Sequence, residues 1–300
     1  MRIIFMGTPD YAAIILESLL VHYEVCALVC QEDKKAGRNL HLQMPATKKL
    51  LLQKNSNIPI LQPHKLDDDF TEILKSFACD KIIVAAYGKI LPQKILNLAP
   101  CINLHASILP QFRGASPIQQ SILKDEKYFG VTAMQMSEGL DCGDILGFKV
   151  FQNSLQNARE LFVEIAKVAA DLILEYLERW ESIMPLEQIG ADASYCKKIK
   201  KEWGEILFDN ADSLARKARA YEGWPEIYLP SGLKLKGIKI AESVSENIEG
   251  EILQITKERI RVGCKMGSIW IESLQAPSKK AMSAYQYLQG KRLKIGDILE

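Results

Sequence analysis

The chain has 300 residues, 48% of them apolar and 25% charged. This length allows one large or two ordinary domains, and the balanced composition excludes global disorder. Lys and Arg number 38 against 37 Asp and Glu, a net charge of +1, so no overall field selects or rejects a nucleic-acid partner. The most apolar stretch, residues 12–21, is interrupted by Glu17 and falls short of the ~18–20 apolar residues of a membrane span. No long apolar leader with a small-residue cleavage site opens the chain, so the expectation is a cytoplasmic protein with no signal peptide and no membrane partner. The seven cysteines are odd in number, widely spaced and include no C-x-x-C pair. Most sit in apolar runs and are expected as buried free thiols; a disulfide framework or a zinc site is not expected.

Residues 2–6 form a short apolar run that ends in Gly7-Thr8-Pro9-Asp10 and is followed by an amphipathic stretch over 11–20. Further strand-like runs lie at 24–29, weakly at 59–61, then at 80–86, 101–104, 131–136 and 145–151. Strands alternating with helices predict an α/β fold with a doubly wound, mostly parallel sheet. The clearest helix spans 157–180, where Leu161, Phe162, Ile165, Val168, Ala169, Leu172, Ile173, Tyr176 and Leu177 recur at helical spacing. Asn157 is placed to cap it. Periodicity is lost from 181 to 202, which carries Pro185 and Gly190. The predicted division is a first domain over 1–182, a linker over 183–202 and a second domain over 203–300. That second domain has a helical stretch at 211–220 and short alternating runs at 233–236, 250–255, 259–262 and 268–274. Such spacing predicts a small β-barrel.

The segment from Cys101 to Gly114 carries the first candidate chemistry. If 101–104 is a strand, Asn103 and His105 lie two apart and face the same side. They stand where the strand ends and a Pro- and Gly-bearing loop begins, the edge where open α/β sheets bind ligands. A carboxamide and an imidazole there can polarise a carbonyl and move a proton. The second candidate is Gly139-Leu140-Asp141-Cys142-Gly143-Asp144, a glycine-flanked loop able to bring Asp141 to His105 and orient its ring. Singly, each has an ordinary reading: a structural histidine, a turn, a hydrogen-bonding asparagine. The combination makes catalysis plausible without naming a substrate.

The string N-L-H-A-S-I-L-P-Q-F-R-G-A-S-P-I from Asn103, followed from Gly130 by G-V-T-A-M-Q-M-S-E-G-L-D-C-G-D-I-L, resembles the formyltransferase family that uses 10-formyltetrahydrofolate. The opening R-I-I-F-M-G-T-P-D and the late Q-A-P-S-K-K-A-M-S-A are similar to the members that act on charged tRNA, and the resemblance covers essentially the whole chain. It implies a Rossmann-like catalytic domain over 1–182 and an OB-like tRNA-binding barrel over 203–300. It implies a catalytic trio of Asn103, His105 and Asp141, and folate contacts at Ser107, Ile108, Leu109 and Pro110. The implied reaction moves the formyl group of 10-formyltetrahydrofolate to the α-amino group of methionine on initiator methionyl-tRNA, for translation initiation, by a monomer that needs no metal. The amine is its own nucleophile, so Asn103 would donate to the developing oxyanion; protonated His105 would share that task or donate toward the departing folate nitrogen, and Asp141 would orient His105 and help move the amine proton, with the formal base and acid left open between them.

Two departures are small: Ile108 stands where Leu is more usual, and Cys142 where Thr is common. Gly7-Thr8-Pro9-Asp10 is not a G-x-G-x-x-G turn, so dinucleotide binding is not expected. The polar insertion 31–45, with Lys34, Lys35, Gly37 and Arg38, is similar to the family's loop at the tRNA acceptor end, Arg38 matching its A-G-R element. Lys35 and Asn39 replace the commoner Pro and Gly. From residue 203 onward 15 basic residues face 13 acidic ones. The candidate tRNA contacts there and just before are Lys197-Lys198-Ile199-Lys200-Lys201, Arg216-Lys217-Ala218-Arg219, Lys279-Lys280 and Lys291-Arg292. The alternatives are a formyltransferase for a small-molecule amine (a ribonucleotide intermediate or an amino sugar), which would need neither insertion nor barrel, and a silent RNA-binding protein, which would need no trio.

Overall fold

In the computed structural model, which describes residues 1–36 and 41–300, the apolar runs of the first half become one central sheet. Arg38 lies outside the described residues. The strands in chain order are β1 (Arg2–Gly7), β2 (Glu24–Val29), β3 (Lys34–Ala36), β4 (His41–Gln43), β5 (Ile60–Leu61), β6 (Lys81–Ala85), β7 (Cys101–His105), β8 (Arg113–Gly114), β9 (Tyr128–Gln135) and β10 (Ile145–Gln152). The sheet runs β10-β9-β7-β6-β1-β2-β5. Pairings from β7 through to β5 are parallel, whereas β9 and β10 add an antiparallel edge. This is the mostly parallel sheet the alternation predicts. Its central strands are unbroken apolar runs because both faces are covered: Ile3, Ile4, Phe5, Met6, Ile82 and Ile83 are all fully buried.

The helices of the first half are α1 (Asp10–His22), α2 (Ala46–Gln53), α3 (Asp68–Ser76), α4 (Gln93–Leu96), α5 (Pro117–Leu123) and α6 (Ala158–Arg179). Helix α1 starts at the Gly7-Thr8-Pro9 turn and carries Asp10 in its first turn, a charge that complements the helix dipole. It buries Tyr11, Ala12, Ile15, Leu16 and Leu19, a single stripe at helical spacing. Within the insertion 31–45, β3 and β4 pair antiparallel. Just outside it, Lys48 Nζ binds the Asp33 carboxylate at 2.8 Å and Gln62 Oε1 at 2.8 Å. Hydrogen bonds from Gln62 and Lys48 hold the Asp33 carboxyl below its ordinary range.

The chain divides into two compact units. The first comprises Met1–Pro117, Lys127–Asn153 and Glu160–Cys196; the second Ile118–Glu126, Ser154–Arg159 and Lys197–Glu300. The segment expected to be a linker is tied into the first unit as far as Cys196. Leu186 and Ile145 exchange two backbone hydrogen bonds of 2.8 Å, and β11 (Tyr195–Cys196) pairs in parallel with β8. Its missing periodicity is that of a strap laid along other elements, which has no buried face of its own.

In the second unit, α7 (Ala211–Ala220) precedes β12 (Lys234–Lys236), β13 (Lys239–Glu246), β14 (Ile252–Ile255), β15 (Ile260–Gly263), β16 (Met266–Ile271), β17 (Ser273–Gln275) and β18 (Met282–Ser283), and α8 (Ala284–Lys291) follows. The strands form two antiparallel sheets, β13-β16-β15-β14 and β12-β17-β18. Glu272 alone separates β16 from β17, so one run of chain serves both sheets. Ile252, Ile260, Val262, Ile269, Ile271 and Leu274 are fully buried, on the alternating positions that suggested a barrel. Strand β13 has no counterpart in the sequence reading. Its better-covered positions are Ala241, Ser243 and Ser245, while Ile240 and Val244 face outward, so its hydrophobic alternation is absent.

All seven cysteines are free thiols. Burial pushes Cys101 and Cys264 up to about 12, and Cys30 and Cys79 up to about 11. Such thiols are neutral and unreactive near pH 7. Unfolded thiols ionise near pH 9, so this burial contributes stability that is complete below pH 9 and is lost as pH rises toward 12. The limiting slope is about 1.4 kcal/mol per pH unit per thiol. We expect denaturant midpoints to fall from pH 9 to 10.5 and to fall less steeply in a Cys101→Ala variant; equal slopes would contradict this account. Among the described residues, no helix is long and apolar enough to cross a membrane.

Candidate active site

Strand β7 ends in Asn103-Leu104-His105, and alternation turns Asn103 and His105 to one face while Leu104 is buried on the other. The β9–β10 connection carries Asp141 back to them. Asn103 Nδ2 donates to Asp141 Oδ1 at 3.4 Å. His105 Nδ1 stands 3.6 Å from Asp141 Oδ2, a gap that a small closure would turn into a hydrogen bond. Both side chains are well covered, His105 at 6% and Asp141 at 14% exposure, so solvent screens their interaction weakly.

The other ring nitrogen fixes the tautomer. His105 Nε2 lies 2.9 Å from the carbonyl oxygen of Phe112. A carbonyl only accepts, so Nε2 carries its hydrogen there. Nδ1 is therefore the nitrogen left to exchange a proton, and it faces Asp141. The Asn103 carboxamide has a second N–H beyond the one given to Asp141, which suits it to a developing negative oxygen.

Asp141 is held in a left-handed backbone conformation, φ 49°, which Asp tolerates better than most side chains. Its Oδ2 accepts the Gly114 N–H at 2.9 Å. Gly114 has φ 118°, and a Cβ there would stand 2.2 Å from the Cys196 carbonyl oxygen, so only glycine allows β8 to lie against β11 and still reach Asp141. Gly143 is equally constrained, since a Cβ would come 1.8 Å from the Gln135 carbonyl oxygen.

The turn Ser107–Pro110 packs onto β9. Thr132 Oγ1 donates to the Ser107 carbonyl at 2.7 Å and accepts the Leu109 N–H at 3.0 Å, while Ser107 Oγ donates to the Gln111 carbonyl at 2.6 Å. Ser107 and Leu109 are buried, Leu109 clustering with Met134 and Ile145. Ile108 and Pro110 are half-buried and form the surface this turn offers. We therefore expect Leu109→Ala to act through the core, lowering unfolding free energy by about 2–5 kcal/mol in a denaturant titration. An unchanged midpoint would place Leu109 outside the core.

The structure thus gathers Asn103, His105 and Asp141 and gives Ser107 and Leu109 internal partners. It also enlists residues that sequence reading passed over. Thr132 pins the turn. Ser194 Oγ accepts the Phe112 N–H at 2.8 Å, steadying the carbonyl that fixes His105. Gln188 and Arg113 stand behind the Asp141 loop. Arg113 and Gly114 lay within the quoted string, but Ser194 and Gln188 belong to an aperiodic stretch with no signal of function. Among the described residues, no three His, Cys, Asp or Glu side chains gather as a metal-holding group.

Residues 1–152 match the formyl transferase family, and residues 198–292 match the formyl transferase C-terminal domain. The chain is 52% identical to a methionyl-tRNA formyltransferase of Nitratiruptor sp. over 99% of both chains. It is also 52% identical to one of Sulfurimonas denitrificans over 100% of both. Among solved structures, HypX from Aquifex aeolicus in complex with tetrahydrofolic acid superposes with a TM-score of 0.65 at 18% identity, over 96% of this chain and 47% of that one, a likeness of fold. The match of both domains, and the identity held along the full length, mean that the chain belongs to the formyl transferase family, where it groups with the methionyl-tRNA formyltransferases.

Proposed function

We propose that this protein transfers the formyl group of 10-formyltetrahydrofolate to the α-amino group of methionine on initiator methionyl-tRNA, acting as a cytoplasmic monomer in translation initiation. The observation that carries this reading is the convergence of Asn103, His105 and Asp141 at the end of β7, in a chain alike throughout to relatives bearing that activity in their names. Residues 1–182 carry the chemistry and 203–300 help hold the tRNA. Within the segment 183–202, the part up to Cys196 does more than connect them, because it braces the site.

The balance of the reaction defines what the residues must do. The amine nitrogen bonds to the formyl carbon, the carbon–N10 bond breaks, and one proton passes from the amine to N10. No net proton or electron is required. The free amide N–H of Asn103 donates to the carbonyl oxygen as it becomes an oxyanion, a role worth about 3 kcal/mol in comparable sites. His105 Nδ1 and the Asp141 carboxylate take the amine proton and return it toward N10, through water where the gap requires. The pinned Nε2–H keeps the ring from turning away. The folate co-substrate meets Ile108 and Pro110, with Ser107 and Leu109 shaping the turn beneath them. Arg38, on the insertion, orients the acceptor end of the tRNA.

The test is turnover with radiolabelled formyl donor and three acceptors: charged initiator tRNA, free methionine and an amino-sugar nucleotide. Formylation of the charged tRNA alone is expected. Preference for either small amine would overturn the assignment of substrate.

A further inference from the structure

Behind the Asp141 loop lies a buried polar pair that the proposed chemistry does not use. Arg113 and Gln188 are 6% and 8% exposed. Arg113 donates from Nε at 3.0 Å and from Nη2 at 2.7 Å, both to Gln188 Oε1. Its Nη1 reaches the Tyr195 hydroxyl at 3.4 Å. A buried guanidinium usually meets a carboxylate; here two of its donors converge on the single oxygen of a neutral carboxamide. On its other side, Gln188 Nε2 donates to the Asp141 carbonyl at 3.1 Å and to the Gly143 carbonyl at 2.6 Å.

The orientation of the carboxamide is forced. A guanidinium has donors only, so the Gln188 oxygen must face it. The two amide hydrogens are then directed at the two loop carbonyls. Gln188 is the side chain that satisfies this arrangement: it accepts on one side and donates twice on the other. Glutamate would suit Arg113 better but has nothing to give the loop. The selection of a neutral amide beside a buried cation is thus explained by the loop and not by the arginine. The loop needs such a tether because Asp141 sits at φ 49° beside Gly139 at φ 118°, and its carboxylate must remain in register with both Asn103 and His105.

We propose that Gln188, itself oriented by Arg113, is a positioning residue for formyl transfer, clamping the main chain of Asp141 and Gly143 so that the carboxylate stays aligned with His105. The proposal rests on the reading of Asp141 as part of the proton-transfer machinery. It assigns the strap segment a role in the rate of the chemical step rather than in substrate affinity.

The test compares Gln188→Glu, Asp141→Ala and the double variant in single-turnover formylation of charged tRNA, with saturation curves for both substrates. Gln188→Glu keeps an acceptor for Arg113 and places a carboxylate oxygen against the two loop carbonyls. It should fold, lower kcat about 10- to 100-fold through misplacement of a reacting group, and leave both KM values within about twofold. Added to Asp141→Ala it should cost nothing further, because its effect passes through Asp141. If Gln188→Glu does not fold, Arg113→Met combined with Gln188→Leu removes the buried cation together with its partner and should show the same kcat loss. A slow Asp141→Ala beside a normal Gln188→Glu would overturn the proposal and leave the role of Asp141 standing. Effects that multiply in the double variant, or a loss confined to KM, would likewise overturn it. Normal turnover in Asp141→Ala would instead remove the reading on which it rests.

Discussion

His105→Ala and Asp141→Ala are each expected to lower the rate of formyl transfer at saturating substrates by about 10²–10⁴-fold, the range for a positioned acid–base group. Asn103→Ala is expected to cost about 10²–10³-fold, as loss of one oxyanion donor does elsewhere. The expected losses fall on kcat, since the proton and the oxyanion exist as charges only on the way to the transition state. Affinity for the folate substrate should change little, because Ile108 and Pro110, the contacts proposed for it, remain in place. The three losses should not multiply. Asp141 touches both other members, through Asn103 Nδ2 at 3.4 Å and His105 Nδ1 at 3.6 Å, so removing it already disorders the set. A triple variant should be only slightly slower than the slowest single one. His105→Gln is a sharper probe than His105→Ala. Glutamine can donate to the Phe112 carbonyl yet offers no exchangeable pair at the Nδ1 position. It should therefore fold normally and remain as slow as alanine. Near-normal turnover in any of these variants would remove that residue from the chemistry.

Much of this site is legible in the sequence. The two-residue spacing of Asn103 and His105 predicts a shared face once 101–104 is a strand, and the strand forms because Cys101, Ile102 and Leu104 are apolar enough to lie inside a sheet covered on both faces. The glycines around Asp141 announce a turn, and the turn does return to β7. What could not be read is everything that acts through main-chain atoms. The Phe112 carbonyl that fixes the His105 tautomer and the Gly114 N–H that grips Asp141 have no side-chain signature. Gln188 reaches the site from 47 residues beyond Asp141, in a stretch without periodicity, and a lone polar residue in such a stretch says nothing of its partners. Strand β13 escaped for the opposite reason. As an edge strand with small inward residues, it buries too little to impose an alternation. The Ser107–Pro110 turn, proposed above to meet folate, shows the same limit: Ser107 and Leu109 look available in the sequence until Thr132 is seen to occupy their backbone groups.

Binding of charged tRNA is expected to weaken steeply with salt, while binding of the folate substrate is not. The α-amine is the same nucleophile on free methionine and on the esterified amino acid, so Asn103, His105 and Asp141 cannot by themselves select tRNA. Selection must come from binding energy gained away from the reacting atoms and realised in orienting the amine. The second unit supplies candidate cations, but they are not equivalent. Arg216 and Arg219 lie at 3.9 Å and 3.5 Å from the Asp125 carboxylate, so part of their charge is already matched. Lys279, Lys280, Lys291 and Arg292 are exposed. Each phosphate contact releases condensed counterions, and about six contacts would lower affinity on the order of 10³-fold between about 50 and 200 mM salt. Replacing Lys279 and Lys280 together by Ala should flatten the slope of log affinity against log salt by roughly one to two and raise the KM for tRNA, with kcat at saturation unchanged. Replacing Arg219 should alter the slope less and the unfolding midpoint more, because its partner is a carboxylate of the same unit. Arg38→Ala should show the reverse balance, reducing kcat more than affinity, if the insertion orients the acceptor end. A tRNA KM indifferent to salt, with the Lys279 and Lys280 replacements also without effect, would mean that the second unit does not hold tRNA by its phosphates. The small-amine alternative for the acceptor would then become the better account.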